Sequence, residues 1–260
     1  MSTRPVAHWI HAHPQADSFN SLLFREGVEA LSRDYDVVTS DLYRQGFDPV
    51  LAARDFGDPL GRPGNVVDLM GEVFAEGRVP DDVAEEQRRL AAADLIVLQF
   101  PLWWYGPPAI LKGWFDRVLT NGFAYGPNDP ETGLPLRYGD GLLSGRRALV
   151  IVTAGEDDRS IGSRGISGDI DQLLFPLTHG TLWYTGIEPL DLHVVHDADG
   201  LDADDVERET ARLLARLDGV IDEVPSRPYR RLKDGDYRGT RALRADLLPG
   251  RTDLDIHRIR

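Results

Sequence analysis

The sequence predicts an α/β protein in which a five-stranded parallel sheet is covered by helices on both faces. Stretches with strand character alternate with stretches of helical spacing along most of the chain, as in parallel sheets joined by crossover helices. Two stretches, 94–100 and 147–153, are almost continuously apolar, which is typical of strands buried on both faces. The strands are predicted at residues 6–11, 35–42, 94–100, 147–153 and 187–195.

Four helices are predicted from capping residues and from apolar spacing. Ser18 has the residue type of an N-cap and precedes apolar positions with a helical period. Pro107 and Pro108 suit a helix start and precede a broad apolar stripe. The other two helices are predicted at residues 81–93 and 204–220.

The remaining segments have the composition of loops. Residues 43–80 contain several Gly and Pro and are predicted to form a long irregular connection between the second strand and the next helix, called the 43–80 excursion below. Residues 126–145 are predicted to form a loop for the same reason. Residues 224–260 follow the last helix and have weak periodicity. We therefore expect a doubly wound domain over residues 1–223 and a C-terminal extension that packs on this domain or on a partner subunit.

The composition restricts the possible functions. A net charge of -14 argues against nucleic-acid binding, which needs a cationic surface. Residues 227–260 are basic, with ten Lys/Arg and five Asp, and either lie on an acidic protein surface or form an arm for an anionic ligand.

No apolar run reaches about 18 residues and residues 1–7 lack a secretory signal, so neither a membrane span nor secretion is expected. The absence of cysteine excludes disulfides, thiol nucleophiles and cysteine-ligated zinc, and together these features predict a cytoplasmic protein.

Three loops are predicted to form a ligand site, because ligands of parallel sheets bind beyond the carboxyl ends of the strands. They cover residues 11–20, 101–106 and 153–168. The first loop leads into a helix N-terminus, where free N–H groups and the helix dipole favour phosphate. His13 in this loop either donates to the phosphate or is satisfied by the backbone. The loop contains neither a Walker Gly-Lys-Ser/Thr nor G-x-G-x-x-G, which disfavours a Rossmann dinucleotide site.

Three adjacent aromatic residues, Trp103, Trp104 and Tyr105, follow the third predicted strand. They cannot all face the core, so they either stack on a planar ligand or form a subunit interface, and both roles can hold together.

The loop after the fourth strand begins with small residues, Thr153 to Gly155, which would let backbone N–H groups approach a ligand closely. The carboxylates at residues 156–158 could suggest a metal, but adjacent side chains point in different directions, so a solvated loop is favoured and no metal site is predicted. No G-x-S-x-G nucleophile elbow is present. A phosphate loop, an aromatic slab and a small-residue loop together indicate a large planar phosphorylated cofactor, for which flavin is the natural candidate.

Residues 99–125 read QFPLWWYGPPAILKGWFDRVLTNGFAY. Shorter motifs accompany this run, with S-F-N at residues 18–20, D-L-Y at 41–43 and G-I-x-G-D at 165–169. Across residues 5–225 the sequence closely resembles the NAD(P)H:quinone oxidoreductase (DT-diaphorase) family, and the long central motif is highly specific for it.

The resemblance implies a flavodoxin-like fold, a homodimer and a tightly bound FAD, with FMN less favoured. It also implies hydride transfer from NAD(P)H to a quinone or similar conjugated acceptor by ping-pong turnover. The cofactor-binding residues that it implies are His13, Ser18, Phe19, Asn20, Pro101, Leu102, Trp103, Trp104, Tyr105, Thr153, Ala154, Gly155 and Glu156. In this assignment the first loop holds phosphate and adenosine, the aromatic loop holds the ring edge, and backbone donors of the last loop face the pyrimidine end. The implied acceptor pocket is formed by Trp104, Tyr125, Gly126 and Tyr184.

The sequence departs from the family at its charge-relay pair. Relatives place a Tyr and a His near the flavin, and Ile161 and Ser167 occupy those positions here. No side chain is therefore assigned as catalytic, and the hydride is carried by flavin N5. Two other functions stay open: a flavin-bound regulatory subunit of an ion-efflux system, which the loss of the pair favours, and a flavin reductase that serves a monooxygenase.

Overall fold

The structure is a computed structural model that describes residues 4–56, 64–237 and 240–259. Within them lies a six-stranded sheet in which every pairing is parallel and the strand order is β2-β1-β3-β4-β5, with β6 also paired to β4. The strands are β1 (Val6–His11), β2 (Asp36–Asp41), β3 (Leu95–Pro101), β4 (Arg147–Thr153), β5 (Glu188–Pro189) and β6 (His193–Val195). The predicted α/β class, with a flavodoxin-like parallel sheet, is confirmed.

The predicted fifth strand is interrupted, so that β5 and β6 replace a single strand over residues 187–195. On β4 the chain advances three residues from Ala148 to Ile151, while the facing chain advances four from Pro189 to His193. One extra residue on one side of a ladder is the arrangement of a β-bulge, which leaves that residue unpaired and bends the strand.

Seven α-helices surround the sheet in the described part of the chain. They are α1 (Phe19–Leu31), α2 (Val66–Ala75), α3 (Asp81–Ala92), α4 (Ala109–Val118), α5 (Ile170–Leu173), α6 (Phe175–Leu177) and α7 (Ala203–Gly219), with 3₁₀ turns at Ala53–Phe56 and Leu254–His257 and a π-helical segment at Thr178–Trp183. The predicted cap is present, because the Ser18 side chain accepts a hydrogen bond from Ser21 N–H. The helix α2 lies inside the excursion at 43–80, where the sequence analysis predicted no helix.

The core has two layers, one on each face of the sheet. Successive strand residues point to opposite faces, so Trp9 packs with α1 and α7 while its neighbour Ile10 packs with α3 and α4. The carboxyl ends of β1, β3 and β4 consequently meet at one edge of the sheet, and the three loops that follow them are brought together there.

The C-terminal extension packs on the domain of its own chain. Tyr229 shares a hydrogen bond of 2.7 Å with Thr178, and Trp183 Nε1–H donates to the Arg230 carbonyl at 3.0 Å. Lys233 also pairs with Asp129 of the 126–145 loop. Contacts of this kind fit the interpretation that the basic segment lies on an acidic surface, while the boundary at residue 224 stays a prediction.

Acid conditions are expected to destabilise the fold through buried neutral histidines. Burial, aided by the charges of Arg212 and Arg216, lowers the pKa of His193 from 6.5 to about 3, and burial lowers the pKa values of His8 and His179 similarly. Below pH 6.5 the unfolded chain therefore binds protons that the folded chain cannot, so stability falls as the pH decreases towards 3.

His193→Gln should make the free energy of unfolding less dependent on pH. We expect the slope between about pH 6 and pH 4 to decrease by up to about 1.4 kcal/mol per pH unit, the limit for one site. Urea unfolding at several pH values measures this slope. Equal slopes in the two proteins would show that the ring accepts a proton in the folded state.

Two further observations bear on the function. In the part of the chain that the structure describes, no helix is long and apolar enough to cross a membrane. Among the same residues, no three His, Cys, Asp or Glu side chains are grouped so that they could hold a metal ion.

Candidate active site

A cleft of about 480 Å³ opens at the carboxyl edge of the sheet. It lies where the predicted loops after β1, β3 and β4 meet. Ten of the thirteen residues predicted to bind the cofactor line it, namely His13, Ser18, Phe19, Asn20, Pro101, Leu102, Trp103, Thr153, Gly155 and Glu156. Their role as cofactor ligands stays a prediction, but their proximity follows directly from the topology of the sheet.

The N-terminus of α1 forms one end of the cleft. The backbone N–H groups of Phe19 and Asn20 have no hydrogen-bond partner in the described residues and lie at the positive end of the helix dipole. The His13 ring is held at Nδ1, which lies 3.1 Å from the Gln15 nitrogen, 3.2 Å from the Gln15 carbonyl oxygen and 2.9 Å from Ser18 Oγ. Burial lowers the pKa of His13, which favours the neutral ring. This end of the cleft therefore presents N–H donors suited to an oxyanion.

Asn20 is fixed by a buried hydrogen-bond network. Its Nδ2 donates to Thr153 Oγ1 at 2.9 Å, while Gln99 Nε2 donates to the Asn20 carbonyl at 2.5 Å. Gln99 is fixed in turn by Trp9 Nε1–H, which donates to Gln99 Oε1 at 2.9 Å. The network therefore joins β1, α1, β3 and β4 through buried hydrogen bonds beneath the cleft.

The aromatic residues after β3 form a tight turn. Trp103 and Gly106 exchange two backbone hydrogen bonds of 3.1 Å, and the two residues between them have φ values of 50° and 60°. Such φ values are costly for bulky residues and are found mainly at functional positions. Trp103 lines the cleft, whereas Trp104 is 96% exposed and Tyr105 41% exposed, and neither lines it.

The loop after β4 supplies free backbone donors at the other end of the cleft. The N–H groups of Gly155 and Glu156 make no hydrogen bond within the described chain. The structure corrects the expectation for Ala154, whose N–H donates to the Val195 carbonyl at 2.8 Å and whose side chain is buried. A Cβ at Gly155 would lie 2.5 Å from Asp199 Oδ2, so a larger residue there would displace the exposed Asp199 side chain.

A polar cluster joins the aromatic turn to this loop. Tyr105 donates its hydroxyl proton to Glu156 Oε1 at 2.9 Å, and Ser167 donates to Glu156 Oε2 at 2.6 Å. The two hydroxyl oxygens are 3.2 Å apart. Ile161, at the other family relay position, is 4% exposed and offers no polar group. The cluster therefore places a tyrosine hydroxyl beside one of the two positions where the sequence has lost the relay pair.

The residues predicted for the acceptor pocket are not brought together within one chain. Tyr125 and Tyr184 are in edge contact, with ring centroids 5.7 Å apart, and line a cavity of about 200 Å³. That cavity has no lining residue in common with the cleft, and Trp104 lines neither of them. Gly126 has φ of 129°, and a Cβ there would lie 1.9 Å from Asn121 Oδ1, so it serves the turn after Tyr125.

Sequence reasoning missed three residues of the cleft, Gln15, Ala198 and Asp199. Gln15 lies inside the first predicted loop but was not singled out. The other two follow β6, so the strand-end rule would have found them if it had also been applied to the last strand.

The fold and the cleft define an α/β protein with a cleft at the carboxyl edge of a parallel sheet, the edge at which proteins of this architecture bind their ligands. The flavodoxin-like fold family Flavodoxin_2 matches residues 7–218. A crystal structure described as a putative quinone reductase from Klebsiella pneumoniae is 38% identical to this chain. Its TM-score is 0.93, and the match covers 98% of this chain and 100% of that one.

Two curated relatives identify the class of oxidoreductase to which the chain is similar. The ribosyldihydronicotinamide dehydrogenase-like protein traD of Penicillium crustosum is 39% identical over 233 residues, covering 88% of this chain and 85% of the relative. NAD(P)H dehydrogenase (quinone) 1 of Cavia porcellus is 36% identical over 220 residues, covering 83% and 77%. The chain therefore belongs to the NAD(P)H:quinone oxidoreductase family and is an oxidoreductase of the NAD(P)H dehydrogenase (quinone) type.

Proposed function

We propose that the chain binds FAD in the cleft and catalyses the two-electron reduction of a quinone or similar conjugated acceptor by NAD(P)H. The two substrates use one pocket in turn, which gives ping-pong turnover, and FMN is the alternative cofactor. The observation that carries this proposal is the donor set of the cleft: unpaired amides of Phe19 and Asn20 at one end, Trp103 in the middle and unpaired amides of Gly155 and Glu156 at the other.

The residues present fit a phosphorylated planar cofactor. The amides at the α1 N-terminus, with the His13 ring, would hold phosphate oxygens, and Trp103 would cover a ring edge. The Gly155 and Glu156 amides would donate to the opposite end of the ring system, where they stabilise negative charge. A bound flavin would supply the hydride transfer itself, while the protein binds, orients and excludes water.

We assign proton delivery to Tyr105. Reduction of a quinone to a hydroquinone takes up one hydride and one proton, so one NAD(P)H and one proton are consumed for each acceptor. The Tyr105 hydroxyl, held between Glu156 and Ser167, would give its proton to the acceptor oxygen, and the half-buried Glu156 would return a proton from solvent.

A homodimer would complete the acceptor pocket. Trp104 is almost fully exposed beside the cleft residue Trp103, while Tyr125 and Tyr184 line a separate cavity of the same chain. Two copies related by a two-fold axis would allow the tyrosine cavity of one to face the tryptophan turn of the other. Sedimentation of the purified protein tests this arrangement, and a monomer at all concentrations would exclude it.

The proposed function is tested with the purified protein. We expect absorbance bands of bound flavin, FAD in the mass spectrum of the released cofactor, and oxidation of NADH or NADPH that depends on an added naphthoquinone. A colourless protein that also fails to bind added FAD and FMN would overturn the proposal. Flavin binding without acceptor-dependent NAD(P)H oxidation would instead favour the regulatory-subunit alternative.

Tyr105→Phe should lower the rate of acceptor reduction about 100-fold, a typical loss when a general acid is removed. Flavin content should not change, because the ring remains and only the hydroxyl is removed. Stopped-flow measurements with a naphthoquinone should show the slow step in acceptor reduction and not in the reaction with NAD(P)H. Tyr43→Phe, outside the cleft, is the matched control. A Tyr105→Phe rate equal to that of the control would rule out proton delivery by Tyr105.

A further inference from the structure

A second cavity, of about 240 Å³, lies between the 126–145 loop, helix α6 with the π-helical segment, and the C-terminal extension. It shares no lining residue with the cleft. Its walls contain five aromatic rings, two arginines and one leucine: Tyr138, Phe175, His179, Tyr237, His257, Arg137, Arg241 and Leu232. The cavity therefore combines flat apolar surfaces with cationic groups.

The rings are arranged for stacking and are uncharged. His179 stacks on Tyr138 and on Phe175, with centroid distances of 4.8 and 4.6 Å and interplanar angles of 26° and 20°. Burial, aided by the charge of Arg258, lowers the pKa of His179 to about 3. Burial also lowers the pKa of His257, whose Nδ1 lies 2.9 Å from the Tyr237 hydroxyl. At neutral pH these mutually stacked rings form an uncharged aromatic wall of the cavity.

Neither arginine of the cavity has a counter-ion among the residues that the structure describes. Arg137 is half-buried, its guanidinium lies 5.9 and 5.7 Å from the ring centroids of Tyr138 and Tyr184, and its buried Nε has no hydrogen-bond partner. In the described residues neither Arg137 nor Arg241 forms an ion pair, and no lining residue is acidic. Cationic walls without a carboxylate are unusual in a chain of net charge -14. The nearby cavity that contains Arg227 differs in this respect, because Asp171 pairs with that arginine.

We propose that this cavity binds a planar aromatic anion, a carboxylate or sulfonate on one ring or on two fused rings. The rings of the guest pack against the aromatic wall of the cavity, and the anionic group takes the unpaired Nε–H of Arg137 and the charge of Arg241. The volume admits such a molecule, whereas a dinucleotide would not fit. The site uses none of the cleft residues, and it adjoins the proposed acceptor pocket, because Tyr138 and Arg137 contact the Tyr184 ring.

The probe is 2-naphthoate, with its uncharged analogue 2-naphthamide as the reference. Binding is measured by calorimetry on protein saturated with FAD, so that the cleft is occupied. We expect naphthoate to bind at least about tenfold more tightly than naphthamide, because charge-assisted hydrogen bonds to arginine are lost in the amide. Equal affinity for the two molecules, or no binding of naphthoate, would overturn the proposal.

Variants locate the bound probe. Arg137→Met and Arg241→Met should each weaken naphthoate binding about tenfold and leave naphthamide unchanged, while Arg208→Met on α7 should leave both unchanged. Arg241 is exposed, so its substitution should preserve the fold even if Arg137→Met does not. Trp104→Ala distinguishes the acceptor site: loss of binding in this variant, with full binding in Arg241→Met, would place the probe elsewhere and overturn the proposal.

Discussion

Replacing Arg117 with methionine should lower the free energy of unfolding by about 3–5 kcal/mol, the usual cost of removing one partner from a buried ion pair. The Arg117 side chain is fully buried on α4, and its Nε–H donates at 2.8 Å to Asp55 Oδ1 on a carboxylate that is only 3% exposed. Its Nη1–H donates at 2.5 Å to Asp82 at the start of α3. Without the guanidinium the Asp55 carboxylate stays buried without a cation, and the Arg117 hydrogen bonds from α4 to Asp55 and to the Asp48 carbonyl are lost.

Chemical unfolding of matched variants measures this effect. Lys112→Met removes an exposed partner of Asp116 on the same helix and should cost less than about 1 kcal/mol. Adding Asp55→Leu to Arg117→Met should recover part of the loss, because the uncompensated charge is removed as well. If Arg117→Met proves as mild as Lys112→Met, the buried pair contributes little and the excursion is anchored by other contacts.

The parts of the fold that were predicted depend on local pattern. The continuous apolar run of β4 and the capping side chain of Ser18 are signals carried by neighbouring residues, so the sequence alone places them well. The interruption between β5 and β6 arises from how these residues pair with β4. A pairing between distant segments cannot be predicted from the local sequence pattern. Helix α2 was missed because flanking Gly and Pro residues indicated a loop.

The candidate site likewise has parts that the sequence predicts and parts that only the structure reveals. Most of the cleft follows from the rule that ligands lie beyond the carboxyl ends of parallel strands, together with the motif between residues 99 and 125. The contact of Tyr105 with Glu156 and Ser167 joins segments 51 and 62 residues apart, and no periodicity could predict it. The aromatic cavity could not be predicted from the sequence either. Two of its rings, Tyr237 and His257, belong to the C-terminal extension, and only the folded chain brings them close to His179.

Replacing Asn20 with aspartate should weaken the binding of flavin mononucleotide about 100-fold, or about 2.8 kcal/mol, while affecting riboflavin much less. Asn20 is 3% exposed, and its own amide and that of Phe19 are the unpaired donors of the proposed phosphate site. The substitution keeps the shape of the side chain but places a carboxylate against the phosphate in a poorly solvated cleft. It also removes the Nδ2–H donor to Thr153.

The ratio of the affinities for flavin mononucleotide and riboflavin distinguishes repulsion of the phosphate from a general disruption of the cleft. A disordered cleft would weaken both flavins alike, whereas repulsion acts only on the ligand that carries phosphate. Asn128→Asp adds the same charge in the 126–145 loop and should leave both affinities unchanged. Titration of each variant with the two flavins, followed by fluorescence, gives the comparison. Equal losses for flavin mononucleotide and riboflavin would show that the substitution disrupts the cleft and does not repel phosphate. Unchanged binding of both flavins would place the phosphate away from the N-terminus of α1.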